Sequence, residues 1–331
     1  MRMDLRAALA IALTTIAACD RGHPAPVPAP APAPALVVAP AADAGDGCSL
    51  ASVPARFPAP ARLVAIGDIH GDLAAARAAL RTAGAIDEHD AWVGGALWIV
   101  QTGDILDRGD DEQAIVDLFS VLESAARAAG GNVIVLNGNH ELMNASGDFR
   151  YVTPGGMRDF ADAPGVDASA PELAQVPEVA RARVAALRPG GAYAKKFAQH
   201  DAIAIVGDTV FSHAGVLGDW VTHIDDTNRA ARCYLDGQTR TPPPAATAND
   251  GPLWTRIAGI PDADCAAVKT ALAAMHLGRM VVGHTVQEHG ITSACADTLW
   301  RIDVGLAKLY NGPIQVLQVY PKPEILTGKR L

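Results

Sequence analysis

The sequence has no excess of basic residues. Its 27 Lys and Arg stand against 36 Asp and Glu, a formal net charge of -9, which excludes a general nucleic-acid-binding surface and leaves room only for a local basic pocket. There is no CxxC and no Cys beside a His in a zinc-like spacing, so the five cysteines are not read as metal ligands. No internal repeat and no second linker divide the chain. With 331 residues, 50% of them hydrophobic, it can build one sizeable core and still carry a tail.

The N-terminal "MRMDLRAALAIALTTIAACD" sets Arg2 and Arg6 before an apolar stretch of about ten residues, too short to span a bilayer and laid out as a secretory signal. "IAAC", residues 16 to 19, resembles the lipobox of bacterial lipoproteins. That resemblance implies a signal over 1–19, acylation of Cys19, and an exported protein anchored by lipid in the bacterial cell envelope, periplasmic or on the outer face. Residues 20–58 include "HPAPVPAPAPAPALVVAPAADAGDG", whose Pro and Ala favour an extended stalk. The folded domain is expected over 59–325. Cys48, Cys233, Cys265 and Cys295 suit two disulfides in an exported chain, with three connectivities open.

Several segments share one grammar: a short apolar run reading as a buried strand, then a polar turn. They are "RLVAIGDIHGD" (62–72), "LWIVQTGDILDRGD" (97–110), "NVIVLNGNHE" (132–141), "TVFSHAG" (209–215) and "MVVGHT" (280–285). Helical stretches alternate with them, one capped by Asp72 and one opening at Asp111 and Glu112. Alternation implies a layered α/β domain, with ligands gathered beyond the carboxyl ends of strands. Residues 154–189 lack the grammar and read as a helical insertion at the site. The tail "LWRIDVGLAKLYNGPIQVLQVY" reads as paired strands, with Asn311-Gly312 as a hairpin turn.

Collected, the turns offer Asp68, His70, Asp104, Asn139, His213 and His284. Mixed oxygen and nitrogen donors suit Mn, Fe or Zn, and a carboxylate shared by two ions suits a two-metal site. Each residue alone has a plainer reading: Asp68 with His70 as a strand-end turn, His140 as a helix cap, Arg150 and Arg256 as surface charges. Asp72, Glu141 and Asp110 are read as capping or supporting groups.

In order along the chain, "GDIHGD", "GDILDRGD", "GNHE", "SHAG" and "GHT" resemble the signature blocks of calcineurin-like metallophosphoesterases, in their phosphoprotein phosphatase branch. "GNHELMNASGDFRYV", "RPGGAYAKKFAQH", "GPLWTR" and "IDVG" bring residues 60 to 320 closer to the Shewanella-like protein phosphatases. The resemblance implies an αββα sandwich with a helical insertion. It implies two divalent transition-metal ions, Mn before Fe or Zn, one held by Asp68, His70 and Asp104, the other by Asp104, Asn139, His213 and His284. A bridging hydroxide would attack phosphorus, His140 would protonate the leaving group with Asp107 behind it, and Arg108 would clamp phosphate. Arg150 and Arg256 are candidate substrate contacts. The substrate implied is a phosphorylated protein (Ser/Thr or Tyr). The alternatives are a small phosphate monoester, nucleotide or dinucleoside polyphosphate and, in another class, a non-catalytic scaffold. "SHAG" replaces a His-Gly-Gly turn of eukaryotic members, which leaves the candidate ligand His213 in place.

Overall fold

A computed structural model describes residues 47–51 and 53–330. The expected signal, Cys19 and most of the expected linker lie outside the described residues. Two sheets form one layered α/β body. The five-stranded sheet runs β11-β10-β2-β3-β4 and the six-stranded sheet β1-β5-β6-β7-β9-β8. Here β1 is Arg56–Phe57, β2 Leu63–Ile66, β3 Trp98–Gln101, β4 Asn132–Val135, β5 Ile203–Val206, β6 Thr209–Ser212, β7 Arg279–Val282, β8 Thr292–Ala294, β9 Leu299–Arg301, β10 Gln315–Tyr320 and β11 Glu324–Thr327.

The strands that carry the motifs are parallel within each sheet: β2 with β3, β3 with β4, and β6 with β7. Parallel strands covered on both faces are continuous apolar runs. "LVAI" of β2 is buried at every position. The core is continuous across both sheets.

Helix α1 (Leu73–Ala83) starts where the Asp72 side chain accepts from the Ala75 amide, and it ends at Gly84 with φ 74°. It packs on β10, and α2 (Glu112–Ala128) packs on β4. Helix α3 (Asn139–Ala145) follows β4 directly. On the other sheet, α6 (Ile224–Leu235) packs on β5 and α7 (Cys265–Met275) on β7.

Residues 154–189 are mostly turns before α4 (Glu178–Leu187), which has a small core of its own with Leu173, Val176, Ala180 and Val184. Helix α5 (Ala192–Phe197) then leads back to β5.

The structure corrects the expected tail. β9 and β10 are not a hairpin: β9 is parallel to β7 in one sheet, while β10 is antiparallel to β2 in the other. Asn311-Gly312 turns inside a crossover between sheets, and the hairpins are β8–β9 and β10–β11 instead. The cysteines pair as Cys48–Cys233 and Cys265–Cys295, with Cα separations of 5.8 and 5.2 Å. The first disulfide and the β1–β5 pairing carry the folded body upstream of the expected boundary at residue 59. Among the described residues no helix is long and apolar enough to cross a membrane.

Candidate metal centre and proton donor

The polar turns leave the carboxyl ends of strands in both sheets. Asp68 and His70 follow β2, Asp104 follows β3 and Asn139 opens α3 after β4, while His213 and His284 follow β6 and β7. Sharp turns aim these side chains. His70 (φ 50°), Asp104 (57°), Asp107 (70°), Arg108 (66°) and His284 (66°) are left-handed although none is glycine. Each such residue costs about 1–3 kcal/mol and persists only because its surroundings dictate it. Glu141 supplies part of that hold, because its carboxylate accepts from the amides of Gly138 (2.7 Å), Asp104 (3.0 Å), Ile105 (2.8 Å) and Leu106 (3.1 Å). Glycine precedes Asp68, Asp104, Asn139 and His284, and space explains all four: a Cβ on Gly67 would lie 2.3 Å from the Ile302 carbonyl oxygen and one on Gly103 2.5 Å from the Gly138 amide nitrogen. A Cβ on Gly138 would lie 2.2 Å from Asp104 Oδ1, and one on Gly283 would lie 2.3 Å from Asp68 Oδ1.

The hydrogen bonds fix which ring nitrogens face inward. His70 Nδ1 lies 2.9 Å from the Leu106 carbonyl and His213 Nδ1 3.0 Å from the Thr102 carbonyl. A carbonyl only accepts, so each Nδ1 carries a proton, and in the neutral tautomer the lone pair of each ring lies on Nε2, which faces the site. His213 Nε2 then stands 2.8 Å from Asn139 Oδ1 and 3.2 Å from Asp104 Oδ2. The Asn139 amide nitrogen faces Met143 Sδ, which keeps its oxygen inward. His284 Nδ1 is 3.1 Å from Asn139 Oδ1.

With that tautomer, His213 Nε2, Asn139 Oδ1 and Asp104 Oδ2 turn lone pairs toward one another in a buried site, and a cation among them turns that repulsion into binding. The donors present therefore fit a metal. Asp104 Oδ2 is also 3.6 Å from His70 Nε2, and Asp68 Oδ2 lies 4.0 Å from the same nitrogen. His70, Asp104 and His140 form one group with ligand atoms within 4.8 Å of one another, and Asp104, His213 and His284 form another.

Electrostatics agree. Burial, then the neighbouring Asp303 and Asp104 carboxylates, push Asp68 well above the usual carboxylate range. Burial, joined by the Arg108 guanidinium, lowers His70 to about 3. Burial and then His213 lower His284 to about 2. Burial opposes the Asp104 carboxylate too, but His140 and His213 outweigh it and hold Asp104 well below the usual carboxylate range. Asp68, whose charge burial disfavours, beside His70 and His284 kept neutral is an environment that positive ions stabilise.

His140 stands apart from this set in how it is held. Its Nδ1 contacts Asp107 Oδ2 at 2.5 Å, and its Nε2 faces the site 3.6 Å from Asp104 Oδ2. Burial works against the charged imidazole, but Asp104 and Asp107 outweigh it and raise its pKa. Arg108 donates to His70 Nε2 at 2.6 Å and lies between the rings of Tyr151 and Tyr310, 5.1 and 5.4 Å from their centroids. Arg256 is exposed and contacts Thr285 Oγ1, one residue after His284. Arg150 is not brought to the cluster: it is exposed and forks onto Asp148. Its neighbour Tyr151 packs against His140 instead, with ring centroids 5.2 Å apart.

Reading the sequence alone misses other residues here. Asp303, in the quoted "IDVG", is buried beside the cluster. Its Oδ1 accepts from Gly305 and its Oδ2 has no partner, while burial raises it to about 6. Glu112, read as a first-turn acid, is buried and accepts from the Asp107 amide. Asn144 and Arg183 carried no signal, because their partners lie far away in the chain.

A family model described as calcineurin-like phosphoesterase matches residues 61–232. Shewanella-like protein phosphatase 2 of Arabidopsis thaliana is 39% identical over 290 residues, covering 77% of this chain and 74% of that protein. Shewanella-like protein phosphatase 1 of Plasmodium berghei is 29% identical over 259 residues, covering 75% and 68%. The crystal structure of the cold-active protein-tyrosine phosphatase of a psychrophilic Shewanella species superimposes with a TM-score of 0.67 at 24% identity, covering 83% of each chain. That likeness speaks for the fold.

Proposed function

The chain belongs to the calcineurin-like phosphoesterase family and is a metal-dependent phosphoesterase; we propose that it hydrolyses phosphate monoesters on proteins, at Ser/Thr or Tyr, using two metal ions. The observation that carries this reading is the cluster of bare acceptors around Asp104 with the His140–Asp107 pair beside it. Asp68, His70 and Asp104 would hold one ion, and Asp104, Asn139, His213 and His284 the other, with Asp104 shared. Two such ions, with Mn favoured, supply Lewis-acid stabilisation of phosphoryl charge and make water a nucleophile at neutral pH.

The rest falls to side chains. Arg108 offers a planar guanidinium to the phosphate, held in place between two tyrosine rings. Arg256 adds an exposed positive charge beside Thr285. His140 holds a proton on Nε2, because Asp107 engages Nδ1 and favours the imidazolium, and it delivers that proton to the departing oxygen.

Relatives named as protein phosphatases support a phosphoprotein substrate over a small metabolite. The test is to strip the protein with a chelator, restore Mn, and compare phosphopeptides with nucleotides, dinucleoside polyphosphates and sugar phosphates. Preference for the small molecules would move the reading to a metabolite phosphatase. No hydrolysis of any of them by Mn-loaded protein would leave the scaffold.

We also propose that the protein is exported and anchored through lipid on Cys19. The two disulfides support an oxidising compartment. Fatty-acid labelling of the full chain should vanish in Cys19→Ser; labelling that persists would refute the anchor.

A further inference from the structure

Arg183 lies on α4, inside the 154–189 insertion and 76 residues from Asp107 in sequence, yet it is fully buried against the proton-donor pair. Every donor of its guanidinium is used. Nε donates to Asn144 Oδ1 at 2.9 Å. Nη1 donates to Glu112 Oε2 and, at 2.8 Å, to the Gly156 carbonyl. Nη2 donates to Asp107 Oδ1 and to Glu112 Oε1, both at 3.0 Å. Five N–H groups meeting five acceptors leave the fork no alternative orientation.

The two oxygens of Asp107 are thereby told apart. Oδ1 accepts from Arg183 and, at 2.9 Å, from Asn144 Nδ2, so Oδ2 alone faces His140 Nδ1. Asn144 also donates to the His140 carbonyl, and Glu112 accepts from the Asp107 amide, so backbone and side chain of both partners are pinned. The Phe149 and Phe160 rings flank the guanidinium at 5.8 and 5.7 Å and complete the dry environment.

We infer that Arg183 is a positioning residue for proton donation: the insertion reaches under the site and, through Asp107, sets the His140 imidazole on the leaving-group oxygen. The inference rests on the proposed acid role of His140. Arg183 touches neither substrate nor ion; its effect passes through Asp107. Lys could carry the charge but not the fork, so charge alone does not satisfy the site.

A buried cation removed alone strands Glu112 and Asp107, and such a variant can fail to fold. The test therefore uses Arg183→Lys and the charge-balanced pair Arg183→Met with Glu112→Gln, in the full chain, with bound metal and thermal unfolding measured beside kinetics. The substrates are 4-nitrophenyl, phenyl and alkyl phosphates, which differ in their need for a proton. We expect metal content unchanged, a loss of about three- to tenfold on nitrophenyl phosphate, and a loss of about a hundredfold on the phenyl and alkyl esters. In a His140→Asn background the Arg183 changes should add no further selective loss. An equal loss across leaving groups in folded, metal-loaded Arg183 variants would overturn the positioning role. His140→Asn without leaving-group selectivity would overturn the acid reading itself, a separate and recognisable failure.

Discussion

Two neighbouring regions of this site are built differently. The candidate ligands Asp68, His70, Asp104, Asn139, His213 and His284 each lie within a few residues of a strand end. The group that orients His140 draws on Asp107, Glu112, Asn144 and Arg183 from three separate stretches of chain, every one fully or nearly fully buried. In the first region, tight turns and glycines bring acceptors together until they call for cations. In the second, every buried charge already has its partner, so what it offers is orientation. Local turns can therefore gather candidate ligands, but fixing the orientation of the His140 ring required contacts across the fold.

A single change should cost most at Asp104, whose Oδ2 faces His70, His140 and His213 at once. Asp104→Asn should lower turnover by about 10⁴-fold, several kcal/mol of charge stabilisation, and reduce bound metal. Near-normal metal with near-normal turnover would deny it a shared role. His140→Asn probes the other region. Bound metal should stay, and turnover should fall roughly 10²–10⁴-fold on poor leaving groups but less on good ones. Loss of metal in that variant would merge the two regions into one.

Asp201 offers a contrast outside both. Burial, eased by Arg232 and His200, raises its carboxyl to about 7, against about 4 in an unfolded chain. The folded state thus favours the protonated acid. That contribution is fully present below pH 4 and is lost as pH rises through 7. Asp201→Asn should remove the loss, leaving the variant's unfolding free energy less pH-dependent between pH 5 and 8 by on the order of 2 kcal/mol. Parallel curves for the two proteins would contradict this. Smallest are the rim charges. Arg256→Ala should raise KM about tenfold with little change in kcat, while Arg150→Ala, removing an exposed pair with Asp148, should change either by less than about twofold. The reverse ranking, read from initial rates, would show that substrate recruits Arg150 away from Asp148.

Much of the first region was legible in the sequence because its candidate ligands lie one to four residues past strand ends, four of them directly after a glycine, and periodicity exposes the strands. His140 and Asp107 were reached through the motif blocks. Arg183 was not, since an Arg in the sequence "ARARVAAL" looks the same whether it faces water or Asp107, and only the folded insertion decides. Glu112 was read as a helix-start acid because local sequence carries the dipole argument but not the burial. Asn311-Gly312 misled for a related reason. The pair does make a turn, but which strands it joins depends on the parallel pairing of β9 with β7, a long-range choice that the turn residues do not encode.

If the acceptors around Asp104 hold the ions on which hydrolysis depends, bound metal and activity must rise and fall together. Elemental analysis of purified, active full-length protein tests it most directly, with activity followed through chelation and metal return. We expect about two transition-metal ions per chain, activity lost in step with them, and recovery best with Mn. Fully active protein containing no metal would contradict it.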